Sequence, residues 1–342
     1  MKMSEEYRRY ILKKISLGGI LILALFLLSL FALAIGDYRL SVNEVITTLL
    51  GGGNRDQQLV IWNLRLPRIL SAIIAGASFS VAGAVMQCVL RNPLASPFTM
   101  GISHGAMFGA CLAILIFGLS TGIGGPYVIT IFAFLGALVC VMAVLTLAKM
   151  RNLTPEAMIL SGVALSSLFM AGTMLIQYFS NELELAAMVY WTFGDLGRAT
   201  WNDIYIMSII FLITSIYFIW KRWDYNALEA GDEVAKSLGV NIEGIRMWSM
   251  LLSSLLTAVN VAFLGIIGFI GLISPHIVRI LVGGDYRFLV PLSILLGSVL
   301  LLSADILART VVAPVVLPVG ILTSFLGAPM FLYLLLRMYS KR

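Results

Sequence analysis

The sequence predicts an all-α, polytopic membrane protein of about ten transmembrane helices. Three observations lead there. The 342-residue chain is 60% hydrophobic and only 12% charged, whereas a soluble domain is about a quarter charged. Apolar runs of about 20 residues, the length needed to cross a bilayer, recur along the whole chain. Both tails are basic, and basic tails stay in the cytoplasm, so the number of crossings is even.

Clear spans are predicted at 15–35, 66–90, 100–118, 126–148, 157–179, 203–220, 247–270, 288–305 and 315–336. A shorter apolar run, 271–283, holds Pro275, His276 and Arg279. Parity makes it the tenth crossing, as a short or broken helix shielded by its neighbours, because irregular backbone cannot face lipid. The stretch "FALAIG" (31–36) resembles a signal-peptide cleavage site. The apolar run before it is long for such a peptide, so the uncleaved reading is kept. Ten spans sort the 23 basic residues into seventeen inside and six outside: Arg39, Arg55, Arg65, Arg68, Arg198 and Arg309. The net charge of +6 therefore reads as loop asymmetry, not nucleic-acid binding.

The loops carry local signals. "SVNEVITTLL" in the first outer loop reads as a short helix capped by Ser41 or Asn43, followed by a "GGGN" turn. The aromatics of "NELELAAMVYWTFGDLGRATW" suit a helix at the interface. The longest inner loop, 221–246, is the most charged part of the chain. Asp232 is placed to cap a short helix, Gly239 to end it in the left-handed conformation, and Asn241 to cap the next. By itself this loop reads as a knob on the inner face or a plain solvated connector. Within the spans, Ala72, Gly76, Ser80 and Ala84, then Gly101, Gly105 and Gly109, form small-residue ladders at spacing four. Gly162, Ser166, Ala171 and Gly172 make a smooth surface that either lines a path for a bulky solute or packs a neighbour.

Signals for bond chemistry are absent. There is no phosphate loop, HExxH or GxSxG. Cys88, Cys111 and Cys140 lie in apolar runs without CxxC pairing, and His104 and His276 are far apart. No catalytic residue, metal site or cofactor is expected. The acids Glu156, Asp195, Asp285 and Asp305 lie near predicted helix ends, which disfavours ion coupling at the midplane. A chain that moves a solute without its own energy source calls for an external motor.

Six stretches, in order across nearly the whole chain, then carry a resemblance: "LRLPRIL" (64–70), "AGAVMQCVLRNPLASPFTMGISHGA" (82–106), "GDEVAKSLGV" (231–240), "GFIGLISPHIVRILVG" (268–283), "ADILART" (304–310) and "LPVGILTSFLGAPMFLYLLL" (317–336). They resemble the membrane permease subunits of ATP-binding-cassette importers for iron–siderophore complexes, haem and cobalamin. The resemblance implies one permease domain over 1–342, with a cytoplasmic tail at 1–14 and an ATPase-coupling loop at 221–246. It implies a homodimer in the cell membrane, working with two cytoplasmic ATPase subunits and an extracytoplasmic binding protein. It favours the knob over the connector and places motor docking on Asp232, Glu233, Ala235, Leu238 and Gly239. Binding-protein docking falls on Arg65, Arg68 and Arg309, whose guanidinium forks suit carboxylates. Lipid-headgroup anchoring, and neutralisation of Arg309 by Asp305, are the plainer readings of those arginines. A cytoplasmic gate is implied at Asn92, Leu94, Asn152 and Thr154. The expected cargo is an iron(III) chelate, siderophore or haem, with cobalamin as the alternative and ion-coupled transport as a more distant one. One departure stands out: many relatives have Glu-Leu-Pro before the last span, where this chain has Val316-Leu317-Pro318.

Overall fold

The computed structural model describes residues 3–36, 38, 40–118 and 127–339. Lys2, Arg39, Lys341 and Arg342, used in the charge count above, lie outside them. The described chain is helical, and its only β-type pairing is an isolated parallel bridge between Phe193 and Ile266. Helix α1 spans Met3–Ala34 and is followed by two short outer helices, α2 (Val42–Leu49) and α3 (Arg55–Gln58). Ser41 caps α2 in a reciprocal box with Glu44, as its spacing predicts. A π-helical turn, Leu59–Arg65, then runs into α4 (Leu66–Val89). Next come α5 (Ile102–Phe117), α6 (Val128–Lys149), α7 (Pro155–Phe179), α8 (Glu182–Thr192) and α9 (Trp201–Trp220). The inner loop folds as α10 (Arg222–Ala230) and α11 (Asp232–Ser237). The chain ends with α12 (Ile242–Leu264), α13 (Ile270–Val282), α14 (Tyr286–Thr310) and α15 (Val319–Tyr339).

Seven of these helical segments are long and apolar enough to cross a membrane: α1, α3–α4 as one continuous run, α6, α7, α9, α12 and α14. Three shorter apolar helices, α5, α13 and the apolar part of α15, accompany them. The predicted span 247–270 begins and ends earlier than expected, as α12, and the separately predicted run 271–283 is α13. Asn241 caps α12 by accepting from Gly244 N–H at 2.9 Å, and the helix stops at Gly265, whose φ of +78° leaves the helical region. α13 has only 13 residues, and Gly265 to Pro275 are buried or half-buried, so neighbours do shield this broken segment.

α4 is the hub. In its most apolar window 83% of residues are buried, against 17% in α1 and α7. Its small residues make that position possible. A Cβ added to Gly76 would stand 2.4 Å from Gly297 O on α14, and one on Gly83 would stand 1.7 Å from Gly271 O on α13. Pro275 has no N–H to bond the carbonyl four residues earlier, which leaves Gly271 O free to turn outward. Gly83→Ala therefore forces α13 off α4. A destabilisation of about 1–3 kcal/mol is expected, read as a lower midpoint in thermal inactivation of the detergent-solubilised protein. An unchanged midpoint would mean that the two helices separate without cost. The second glycine ladder works alike, since Cβ atoms on Gly105 and Gly109 would meet Gly136 O and Phe132 O of α6 at 2.6 and 2.0 Å.

Candidate functional site

Two irregular stretches interrupt the helices, and they meet. The first joins α4 to α5. Arg91 takes φ +45°, the Asn92 carbonyl oxygen Oδ1 accepts from Leu94 N–H at 2.9 Å, and Ser96 and Thr99 bond each other's backbone N–H reciprocally. Its polar backbone is thus partly satisfied locally, the condition for irregular chain inside a membrane. The second joins α12 to α13. Here Asp195 N–H donates to Leu264 O at 2.9 Å, Gly320 N–H donates to Gly194 O at 3.1 Å, and Phe193 pairs with Ile266. Gly194 and Gly320 allow this approach, because a Cβ on either would lie 2.4–2.5 Å from Ile266 O.

Between these stretches and α15 lies a groove of about 1050 Å³. Phe98, Phe193, Phe269, Phe325 and Phe331 face it, and Leu94 is in its wall. No charged residue lines it among the described residues. Such a wall offers no acid, base or metal ligand. Asn152 and Thr154, the other expected gate residues, sit in the α6–α7 turn. Asn152 has φ +54°, and Thr154 caps α7 by accepting from Ala157 N–H at 3.3 Å. The small residues of α7 take mostly packing positions. Gly162 lies on the backbone of Met100, Ser166 donates to Gly162 O beside Gly101, and Gly172 lies under the Phe108 ring. They admit α5 and its leading turn and do not line the groove of their own chain. Ala171 is exposed.

One end of the bundle holds a layer of arginines. Arg65 is buried and donates to Leu33 O and Tyr38 O. Arg309 donates to Ala32 O and Ile35 O, both at 3.3 Å. Ala32 and Leu33 lie in the last turn of α1 and Ile35 directly follows it, where cations meet the negative pole of the helix. Arg68 turns elsewhere: its Nε donates to Asp305 Oδ1 at 2.7 Å, and its Nη2 pairs with Asp195 at 3.7 Å. Arg309 flanks the other oxygen of the fully buried Asp305, with Nε 3.1 Å from Oδ2. Spacing alone would put Arg65 and Arg68 on one helix face. The π-helical turn ends at Arg65, so the change of helix type falls between them and their targets differ. The turn precedes Pro67, whose ring crowds the carbonyl four residues back and favours a widened helix.

The opposite end holds the expected coupling region. α11 forms as predicted, with Gly239 at φ +81° just beyond its last turn. Its cap differs: Gly231, not Asp232, is the N-cap. Asp232 is freed to pair with Arg91 at 2.7 Å and Arg246 at 2.9 Å. Ala235 is buried, so its surface role goes to its neighbours. Glu233, Val234, Leu238 and Gly239 project, with Val234 44% and Leu238 67% exposed.

α10 adds a bracket that the sequence gave no reason to expect. Tyr225 is buried and meets Ser249 at 2.9 Å, and Asn226 donates to Asp285 Oδ1 at 3.1 Å while accepting from Tyr286 N–H at 2.8 Å. Glu229 pairs with Arg279 at 2.5 Å. Burial opposes ionisation of Asp285, but bonds from Arg287 and Asn226 outweigh it and hold its carboxyl below the usual range.

The sequence profile of the FecCD transport family matches residues 21–337. An ABC transporter permease protein of Methanocaldococcus jannaschii is 68% identical over the full length of both chains. The hemin transport permease HmuU of Yersinia pestis is 38% identical, covering 95% of this chain and 96% of that protein. Permeases of Fe(3+)-citrate import in Bacillus subtilis and of vitamin B12 import in Vibrio cholerae match as well. Among solved structures, a metal-chelate type ABC transporter in an inward-facing conformation superposes with a TM-score of 0.83 at 34% identity. That match covers 94% of this chain and 99% of the other. The apolar helices, the uncharged groove and these matches lead to one assignment: the chain belongs to the FecCD transport family, as a multi-pass permease subunit of an ATP-binding-cassette importer in the cytoplasmic membrane.

Proposed function

We propose that this chain carries an iron(III) chelate, a siderophore complex or haem, across the membrane by alternating access. The observation that carries this reading is the near-complete alignment with the hemin permease, on the fold of a metal-chelate transporter. Cobalamin is the second reading, favoured by the match to vitamin B12 permeases. The whole chain, 1–342, acts as one permease domain of ten spans and pairs with a second copy. The exposed Ala171 surface of α7 completes the path there. Residues 1–14 form a cytoplasmic tail, and no nucleic acid is involved.

In this reading two cytoplasmic ATPase subunits supply the energy, and the permease itself catalyses nothing. The motor receives Glu233, Val234 and Leu238, while Asp232, Ala235 and Gly239 hold the shape of the knob. Closure of the motor then moves the knob as a rigid body. Leu94 and Asn92, with Asn152 and Thr154, form the cytoplasmic gate. A binding protein docks on the outer face. Arg65, Arg68 and Arg309 form the floor of that face, and their inward bonds fix its shape as much as they attract carboxylates.

Motor docking is testable without disturbing the fold, because Leu238 is largely exposed. Leu238→Asp is expected to abolish co-purification of the co-expressed ATPase subunit with the tagged permease, while the permease yield stays at the wild-type level. Undiminished co-purification would move the docking surface away from α11.

A further inference from the structure

The backbone at Phe269 carries an inference that rests on the import reading and deepens it. Phe269 has φ +66° and ψ −28°, a region that bulky side chains rarely occupy. It is the centre of a γ-turn, in which Ile270 N–H donates to Gly268 O at 2.9 Å. The positive-φ form of this turn is strained. A glycine, Gly268, stands next in the chain and would take such a conformation freely. The chain instead puts an aromatic ring at the strained position. Such strain persists only where the surroundings fix it, and it gathers at sites that move or bind.

The surroundings are visible. Leu272 and Ile273 N–H both donate to Phe269 O, at 3.0 and 2.9 Å, so the strained residue starts α13. Its side chain lies on Gly327 of α15: a Cβ there would stand 2.5 Å from Phe269 Cβ and 2.6 Å from Cγ. Gly268 faces Ser324 on the same side of α15. The ring is half-buried and lines the groove. The start of a broken helix is thus held against α15 by one ring in a seat that only glycine provides.

We propose that Phe269 is a latch that sets the bore of the groove. With the ring on Gly327, α13 and α15 stay together and the path is narrow. When α15 moves, the ring leaves its seat, the turn relaxes and the groove widens for its cargo. Phe269 is a positioning residue, acting on the width of the path.

Phe269→Gly keeps the turn and removes the ring, whereas Gly327→Ala keeps the ring and denies its seat. Both are made in the full chain assembled with its ATPase and reconstituted in vesicles, with the binding protein supplied outside. Spin labels at Ile280 and Tyr333, exposed positions on α13 and α15, report the separation of the two helices. Hemin and cyanocobalamin serve as uptake probes. Both variants are expected to lengthen and broaden the label separation, and to lower uptake per ATP hydrolysed by about tenfold. Phe269→Leu, which partly refills the seat, should recover much of both. Wild-type separations and uptake in Phe269→Gly and Gly327→Ala would reduce the ring to packing and overturn the proposal. A wild-type complex that imports neither probe would count against this choice of cargo alone, because the separations still decide the latch.

Discussion

Asp305→Asn is expected to cost about 3–5 kcal/mol of folding stability, the usual penalty for removing one partner from a buried charge cluster. Asp305 is fully buried between Arg68 and Arg309. The arginine side chains are only 15% and 8% exposed. Without the carboxylate, two cations face each other in a site that water hardly reaches. Arg68 keeps Asp195 at 3.7 Å, but that carboxylate is itself 38% exposed and screened, so it compensates weakly. The effect should appear as low yield and rapid thermal inactivation in detergent. Adding Arg309→Met to the same chain should recover part of the loss by restoring charge balance. If Asp305→Asn matched the wild type, the arginine layer would not depend on this carboxylate, and its role in shaping the outer face would fall.

Asp232→Asn is expected to uncouple the motor. Asp232 ties α11 to Arg91, one residue before Asn92 in the turn that also carries Leu94. The ion pair is therefore a direct polar link between the knob and the turn that carries the groove wall. At 37–38% exposure the Arg91 pair contributes only about 0–1 kcal/mol to stability, whereas the buried Arg246 also relies on Asp232, so Asp232→Asn lowers stability more than Arg91→Gln does. The value of the Arg91 pair lies in direction: a push on α11 reaches the turn through it. Uptake per ATP hydrolysed should fall about tenfold, with hydrolysis itself retained, as expected for a coupling residue outside both sites. Arg91→Gln should reproduce the defect. Normal coupling in both would show that motion passes through α10 or α12 instead.

Much of this architecture is legible in the sequence because its signals are local. Long apolar runs mark the spans, Ser41 with Glu44 closes a capping box, and Gly239 and Asn241 bound the knob at positions read from neighbouring residues alone. The i,i+4 pair of Asp305 and Arg309 was visible for the same reason. What failed involves contacts between distant parts. Arg68 finds Asp195 and Asp305 in other segments, and Arg65, at the end of a π-helical turn, finds the end of α1. Nothing in spacing reports that turn. Asp232 read as a cap because acids favour helix starts, yet Arg91 and Arg246 supply a stronger attraction. The bracket of Asn226, Glu229, Arg279, Asp285 and Tyr286 joins residues some 50–60 positions apart, beyond any local pattern. The small residues of α7 show the ambiguity of such surfaces: the same side chains suit a path or a packed helix, and only the position of α5 separates the two.

We propose that this chain is a conduit with an external motor. Vesicles containing the permease, with and without its ATPase, can be loaded with ATP on the cytoplasmic side and supplied outside with hemin or cyanocobalamin and the binding protein. Uptake should require both ATP and the ATPase and should be indifferent to imposed proton or sodium gradients. Accumulation by the permease alone, driven by either gradient, would contradict it.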